Sequence, residues 1–148
     1  SLPLGSCRWS LHRASCREGP TVPWFMANVS TQKVLQEIQK WVETDINWPE
    51  QCSWVEPRVE EFTVQDGSAV IQGRSFVRAS CSTTTWKFID DIAWRLSDVT
   101  CDGITGTLVE VHSQQRAGTD DGGQNMYRVL FSMGYLYETF PGAMPFDE

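Results

Sequence analysis

The sequence predicts an α+β fold in which two helices pack on one face of a four-stranded antiparallel meander. Apolar residues recur every three or four positions in two segments of the 148-residue chain and alternate with polar ones between them. The first spacing is typical of an amphipathic helix and the second of a strand with one buried face. Two Asp-Gly pairs, Asp66-Gly67 and Asp102-Gly103, separate strand patterns and favour tight hairpin turns. Two packed layers are the simplest solution for this order of elements.

The chain begins with an arm, residues 1–27, that is predicted to be irregular because glycine and proline interrupt it and its apolar residues follow no period. The first helix is predicted from Thr31 to Ile46. Its apolar stripe consists of Val34, Ile38, Trp41, Val42 and Ile46. Asn47 and the Trp48-Pro49 pair are expected to end this helix.

Four strands are predicted between the two helices. The first two, Val59–Val64 and Ala69–Ala79, flank the Asp66-Gly67 turn. The third runs from Trp86 to Leu96, where most even positions are apolar and polar residues alternate with them. We expect one face of this strand to be buried and the other to be wet. The fourth strand is predicted from about Thr107 to Gln115.

The second helix is predicted from Gln124 to Thr139, after a glycine-rich corner, because its apolar residues fall on one helical stripe. Proline and glycine then end regular structure, which leaves a tail over residues 141–148. A single domain over residues 28–140 is therefore predicted between the arm and the tail. A chain of 148 residues is about the size of one ordinary domain.

The charge balance excludes nucleic acid as the main partner. Lys and Arg number 12 against 19 Asp and Glu, a formal net charge of −7, and no basic block offsets it locally. No window reaches the roughly 20 apolar residues that a membrane-spanning helix needs. We therefore expect a soluble acidic domain with no transmembrane segment, and the residues predict no cofactor.

The five cysteines are Cys7, Cys16, Cys52, Cys81 and Cys101. They form no C-x-x-C pair and only two histidines accompany them, so no structural metal is predicted. The odd number permits two disulfides and one thiol, and Cys7–Cys16 is the easiest closure because both lie in one short segment. That pairing implies an oxidising compartment. The alternative is that all five are reduced and several are buried.

Asp90 interrupts the apolar face of the third predicted strand. A buried carboxylate needs a cation or several hydrogen-bond donors, and the candidate partners are Arg74, Arg116 and Arg128. A structural ion pair is favoured over acid–base chemistry, which would need a second carboxylate or a histidine in the same cleft. Asp91 does not qualify, since adjacent strand residues point to opposite faces.

The corner before the second helix is a candidate anion site. Its glycines leave backbone N–H groups near the positive end of the helix dipole, and Arg116 adds charge. Asp120 and Asp121 stand at the same helix start, where they can cap these N–H groups and repel an anion. Structural capping is therefore favoured over ligand binding. His112 and Ser113 form no catalytic pair, because neighbours in a strand face opposite ways.

One run of residues resembles a known family. It consists of Phe88-Ile89-Asp90-Asp91-Ile92-Ala93-Trp94-Arg95, then Val109-Glu110-Val111-His112-Ser113, leading through Arg116, Gly118, Asp121, Gly123 and Asn125 to Arg128. This order is similar to that of the family catalogued as domain of unknown function 1499, over about residues 85–130. His112 replaces the family's usual arginine, and Gln115 replaces a serine.

The resemblance implies that a polar strand–helix junction is shared across the family. Its members in this sequence are Asp90, Arg116, Asp121, Asn125 and Arg128. The junction is either a structural lock or an anion-binding site.

The resemblance also implies a plastid or exported setting, and it implies no reaction. Three further observations agree with a role without catalysis. The chain is acidic, it lacks a recognisable set of catalytic residues, and its termini contain tryptophan and proline. Together they predict a non-catalytic accessory or assembly subunit of a larger protein complex, namely an extrinsic subunit on the lumenal side of a photosynthetic membrane. The expected place is the thylakoid lumen, with the periplasm or export as the alternative. The competing hypothesis is a small-anion binding protein or an enzyme that uses the corner from Arg116 to Asn125 with Asp90.

Overall fold

The computed structural model describes residues 8–9, 13–15, 24–44, 50–66, 69–83, 89–115, 132 and 134–145. At some of these positions, Asp90 among them, the description covers the backbone alone. The described strands are β1 Arg8–Trp9, β2 Arg13–Ser15, β3 Trp24–Ala27, β4 Glu50–Glu60, β5 Val64–Asp66, β6 Ala69–Thr83, β7 Ile89–Cys101, β8 Ile104–Gln115 and β9 Met144–Pro145. The helices are α1, Thr31–Thr44, and α2, over residues 134–139.

All the described strands join one antiparallel sheet, so the predicted α+β class is confirmed. The predicted four-stranded meander is wrong, because the main path of the sheet holds six strands in the order β1-β2-β8-β7-β6-β4. Three short strands lie off this path: β3 pairs with β8 and β9, and β5 pairs with β6.

The N-terminal arm is not irregular where it is described, since it contributes β1, β2 and β3. The strand β8 is long enough to pair with both β2, at residues 112–114, and β3, at residues 106–109. These pairings satisfy backbone groups along one edge of β8. Segments of two to four residues are too short to show a period, which is why the sequence pattern missed them.

The helix α1 begins as predicted and ends two residues before the predicted Ile46, at Thr44. Ser30 caps it, since the Lys33 backbone N–H donates to Ser30 Oγ at 3.1 Å. Thr31, in its first turn, donates a hydrogen bond to Asp98 of β7. The predicted stripe of Val34, Ile38, Trp41 and Val42 is buried. The start of the helix is therefore tied to the sheet by both packing and hydrogen bonds.

The first predicted strand, Val59–Val64, is wrong in its bounds. Residues 61–63 lie outside any strand, and β4 extends back to Glu50. The reason lies in β6, which bends at a bulge between Ile71 and Arg74, where Gly73 has a φ of 146°. One edge of β6 pairs with β5 before this bulge and with β4 after it.

The hairpin between β7 and β8 confirms the second predicted Asp-Gly turn. Asp102 and Gly103 both have positive φ, 52° and 79°, which is the geometry of a type I′ turn. The strand β7 is described from Ile89 and continues to Cys101, beyond the predicted end at Leu96, and β8 begins at Ile104, before the predicted Thr107.

The main core lies between the helices and one face of the sheet. It holds Trp24, Met26, Val77, Ile92, Trp94, Leu96, Val109, Val111 and Leu136 together with the stripe of α1. Trp41 of α1 meets Trp94 edge to face, with ring centroids 6.1 Å apart. Leu136 and Tyr137 place α2 on this same face. Tyr137 belongs to the stripe predicted for the second helix and Leu136 does not; the other predicted members, Met126, Val129, Leu130 and Met133, lie outside the described part. None of the described helices is long and apolar enough to cross a membrane.

A disulfide joins Cys52 of β4 to Cys81 of β6, which are direct cross-strand partners with Cα atoms 4.0 Å apart. The hypothesis that all five cysteines are reduced is therefore wrong, and Cys101 is a thiol. A sequence separation of 29 residues gives no hint of this bond before the strand register is known. The predicted Cys7–Cys16 pairing lies outside the described residues.

Gly106 provides a test of how closely β3 packs on β8. A methyl group at this position would overlap the carbonyl oxygen of Met26 and approach Phe25 Cζ to 2.8 Å. We expect Gly106→Ala to lower the free energy of unfolding by about 1–3 kcal/mol, measured by urea denaturation. Gly134→Ala is the matched control, because its methyl meets nothing within 4 Å and alanine favours the helix. Equal stability of the two variants would contradict the close packing.

Candidate functional site

The face of the sheet opposite α1, here called the outer face, carries the largest group of charged side chains in the described part of the chain. Strand register aligns them in two rows that cross β4, β6, β7 and β8. The first row is Arg58, Phe76, Arg95 and Glu110, and the second is Val55, Arg78, Ala93 and His112. These eight residues line an open groove of about 550 Å³, which we call the outer groove.

Arg95 and Glu110 form an ion pair on the floor of the outer groove. Arg95 Nε donates a hydrogen bond to Glu110 Oε1 at 2.6 Å, and Arg95 Nη2 lies 2.6 Å from the same oxygen. The Glu110 side chain is 6% exposed and that of Arg95 is 24% exposed. Because a buried carboxylate without a partner is costly, each residue requires the other. The pair therefore acts as a rigid neutral element in the floor.

Arg58 lies over the ring of Phe76, with its guanidinium carbon 4.6 Å from the ring centroid. Such a cation–π contact holds the guanidinium without neutralising it. Arg58 also approaches Glu60 at 3.4 Å, but both side chains are largely exposed, at 70% and 49%. Surface pairs of this kind contribute little. Arg58 thus keeps much of its charge available at the wall of the outer groove.

Arg78 is exposed and stands in β6 between two uncharged neighbours, Val55 of β4 and Ala93 of β7. Within the described part of the chain it forms no ion pair. His112, the next residue in this row, is half-buried. Arg78 is accordingly an exposed guanidinium without an ion-pair partner in the described part of the chain.

The outer groove is a basic spot on an acidic protein. Among its lining residues, Arg58, Arg78 and Arg95 stand against Glu56 and Glu110, which leaves a formal charge of +1 without His112. The whole chain carries −7. Val55, Phe76 and Ala93 supply apolar surface between the charges. Guanidinium groups beside apolar surface can bind an anion that also has an apolar part.

The polar junction predicted from the sequence stays a prediction. Asp90 lies in β7, where its backbone pairs with Cys81 and Gln115, and its side chain is outside the described part. The other four members, Arg116, Asp121, Asn125 and Arg128, are outside it too.

Arg74 does not meet the expectation that it could pair with Asp90. Arg74 is opposite Ser97, whereas Asp90 is opposite Cys81, seven residues further along β6 or roughly 23 Å at the rise of a strand. Arg74 instead stacks on Phe62, with its guanidinium carbon 5.2 Å from the ring centroid.

Ser113 and His112, neighbours in β8, lie on opposite faces of the sheet. Ser113 is fully buried on the side of the helices, whereas His112 is half-buried on the outer face, so the two form no nucleophile–base pair. Asp91 lies on the outer face as well, where its Oδ1 accepts a hydrogen bond from Ser80 Oγ at 3.1 Å.

Sequence reasoning missed the outer groove. Its arginines occupy the wet positions of the strands, which the alternating pattern identified only as exposed. Arg58, Arg78 and Arg95 are separated by 17 to 20 residues, so only the register of the strands reveals that they share one groove. The one signal in the sequence is that arginine occupies three outward-facing strand positions, Arg58, Arg78 and Arg95. In the described residues, no three of His, Cys, Asp and Glu come together as a metal site.

The fold and the outer groove define an α+β sheet protein with a candidate binding surface on the face opposite its helices. The family described as Protein of unknown function (DUF1499) matches residues 12–131, and the chain belongs to that family. The match confirms the resemblance and extends it well beyond the second half of the chain. No curated protein and no solved structure matches this sequence.

The ion pair in the floor can be tested by removing one charge. Glu110→Gln leaves the largely buried Arg95 guanidinium without its carboxylate, so we expect the free energy of unfolding to fall by about 1–3 kcal/mol in urea denaturation. Glu56→Gln removes the same charge from an exposed side chain of the outer groove and should change stability by less than about 0.5 kcal/mol. A loss of equal size in both variants would show that the pair has no structural role.

Proposed function

We propose that this protein is a non-catalytic binding protein that holds a small organic anion in the outer groove. The observation that carries the proposal is that Arg58, which lies over the Phe76 ring, and Arg78 line one groove together with the apolar residues Val55, Phe76 and Ala93. The volume, about 550 Å³, falls within the range of roughly 300–1,000 Å³ that is typical of small-molecule sites.

Binding suits these groups better than catalysis does. General acid–base chemistry needs a titratable group that is free to exchange a proton with the substrate. Glu110, the buried carboxylate of the outer groove, is held by two nitrogens of Arg95 at 2.6 Å. Arg78 and Arg58 carry guanidinium groups, which donate hydrogen bonds and supply positive charge but accept no hydrogen bond.

Anion binding can be tested by removing the charge of Arg78. Anilinonaphthalene sulfonate is a suitable probe, because it combines one negative charge with aromatic rings. We expect Arg78→Gln to weaken its binding about tenfold or more in isothermal titration, since a charge-assisted contact contributes about 1.5–3 kcal/mol. Lys33→Gln is the matched control, because it removes one positive charge from an exposed position on α1. If both variants bind the probe like the unaltered protein, the outer groove is not its site.

An accessory or assembly subunit in the thylakoid lumen is our second proposal, and it rests on the sequence and the family resemblance. One feature of the sheet favours a protein partner. Among the described strands, β4 pairs on one side alone, with β6, and Val59 near its end is 63% exposed. An open strand edge can pair with the backbone of a partner protein. Pro57 and the irregularity between Val55 and Arg58 restrict such pairing to part of β4.

Native fractionation of the source membranes tests this second proposal. We expect the chain to co-migrate with one large assembly, identified by mass spectrometry of the same fractions. If a high-salt wash releases the chain from the membranes and abolishes its co-migration with the assembly, its attachment is peripheral. Migration as a single chain, apart from any assembly, would exclude a stable subunit role.

A further inference from the structure

We infer that the ligand of the outer groove is a monocarboxylate with an apolar chain or ring, whose carboxylate contacts Arg78 and whose apolar body lies against Phe76. This inference rests on the proposed function of the outer groove and adds the chemical class of the anion. It follows from the charge of the outer groove, from the geometry of arginine and from the distribution of apolar surface.

The charge of the outer groove favours an anion with a single negative charge. Its formal charge of +1 is matched by one carboxylate. A phosphate monoester carries close to two charges at neutral pH. Such a dianion would bring the formal charge of the outer groove from +1 to −1, with Glu56 and Glu110 nearby. A monoanion therefore fits the outer groove better than a phosphate does.

The planar guanidinium of Arg78 suits a carboxylate in particular. Two parallel N–H groups of arginine can donate to the two oxygens of one carboxylate. Arg95 already uses two of its nitrogens on Glu110, and Arg58 is stacked on Phe76. Arg78 is exposed and has uncharged neighbours on both sides, so its donors are available for this bidentate contact.

The apolar part of the ligand has a defined place beside this charge. Val55 and Ala93 flank Arg78 in its own row, and Phe76 lies two residues away along β6 on the same face. Phe76 is half-buried, so part of its surface remains open. Covering this surface adds affinity in proportion to the apolar area removed from water. A short aliphatic chain or one aromatic ring can therefore extend from Arg78 across Phe76.

A second cavity in the same protein differs from the outer groove in the sign of its charge. It encloses about 470 Å³ and is lined by Glu60, Glu61 and Asp98. Its one arginine, Arg74, is stacked on Phe62. Because carboxylates outnumber guanidinium groups there, this cavity repels the same ligand. A carboxylate probe should therefore select the outer groove.

Isothermal titration with four probes tests the chemical class. The probes are octanoate, octyl phosphate, octanol and acetate, which separate the carboxylate, the charge number and the apolar chain. We expect octanoate to bind at least about tenfold more tightly than each of the other three. Arg78→Gln should remove the advantage of octanoate over octanol, and Arg78→Lys, which keeps the charge without the planar fork, should restore part of it. Far-ultraviolet circular dichroism checks that both variants are folded.

The outcomes separate the inference from the proposed function. Equal or tighter binding of octyl phosphate, weakened by Arg78→Gln, would overturn the monocarboxylate class and leave anion binding in the outer groove intact. Equal binding of octanol, or no binding of any probe, would overturn both. Octanoate binding that is unchanged by Arg78→Gln would place the carboxylate elsewhere and overturn the inference.

Discussion

The hydrogen-bonded register between β6, β7 and β8 assigns the side chains of the three central strands to one face of the sheet or the other. In this register Trp94 lies opposite Val77 and Val111 in the core, and Arg95 lies opposite Phe76 and Glu110 on the outer face. A slip by one residue would bury arginine and expose tryptophan. Because that exchange would cost much free energy, the strands pair in one register. The core and the outer groove therefore depend on the same set of backbone hydrogen bonds.

The edge strand β4 connects stability with the outer groove. It supplies Val55 and Arg58 to the groove and is held to β6 by both backbone pairing and the Cys52–Cys81 disulfide. A disulfide acts chiefly by restricting the unfolded chain, and this one closes a loop that contains most of β4, all of β5 and most of β6. Its presence agrees with an oxidising compartment, which is also what the proposed lumenal or exported setting would provide.

The outer groove also shows how local charge can differ from total charge. The chain carries −7 overall, a balance that argues against nucleic acid and by itself would disfavour any anion. The outer groove differs from the chain as a whole, because three arginines, from β4, β6 and β7, line it together with only two glutamates. One of these glutamates, Glu110, is paired with Arg95.

The sequence by itself determined the features that depend on near neighbours. Three such features are predicted close to their observed places: the apolar stripe of α1, the Asp102-Gly103 turn and the alternation in β7. Each depends on residues that lie within a few positions of one another. The bounds of β4 were missed, because they depend on a bulge in another strand. Tertiary structure alone decided the pairing of the arm with β8, the Cys52–Cys81 bond and the two rows of the outer groove. Each of these joins residues that are far apart in the chain, and a local pattern contains no information about which distant strand will supply a partner.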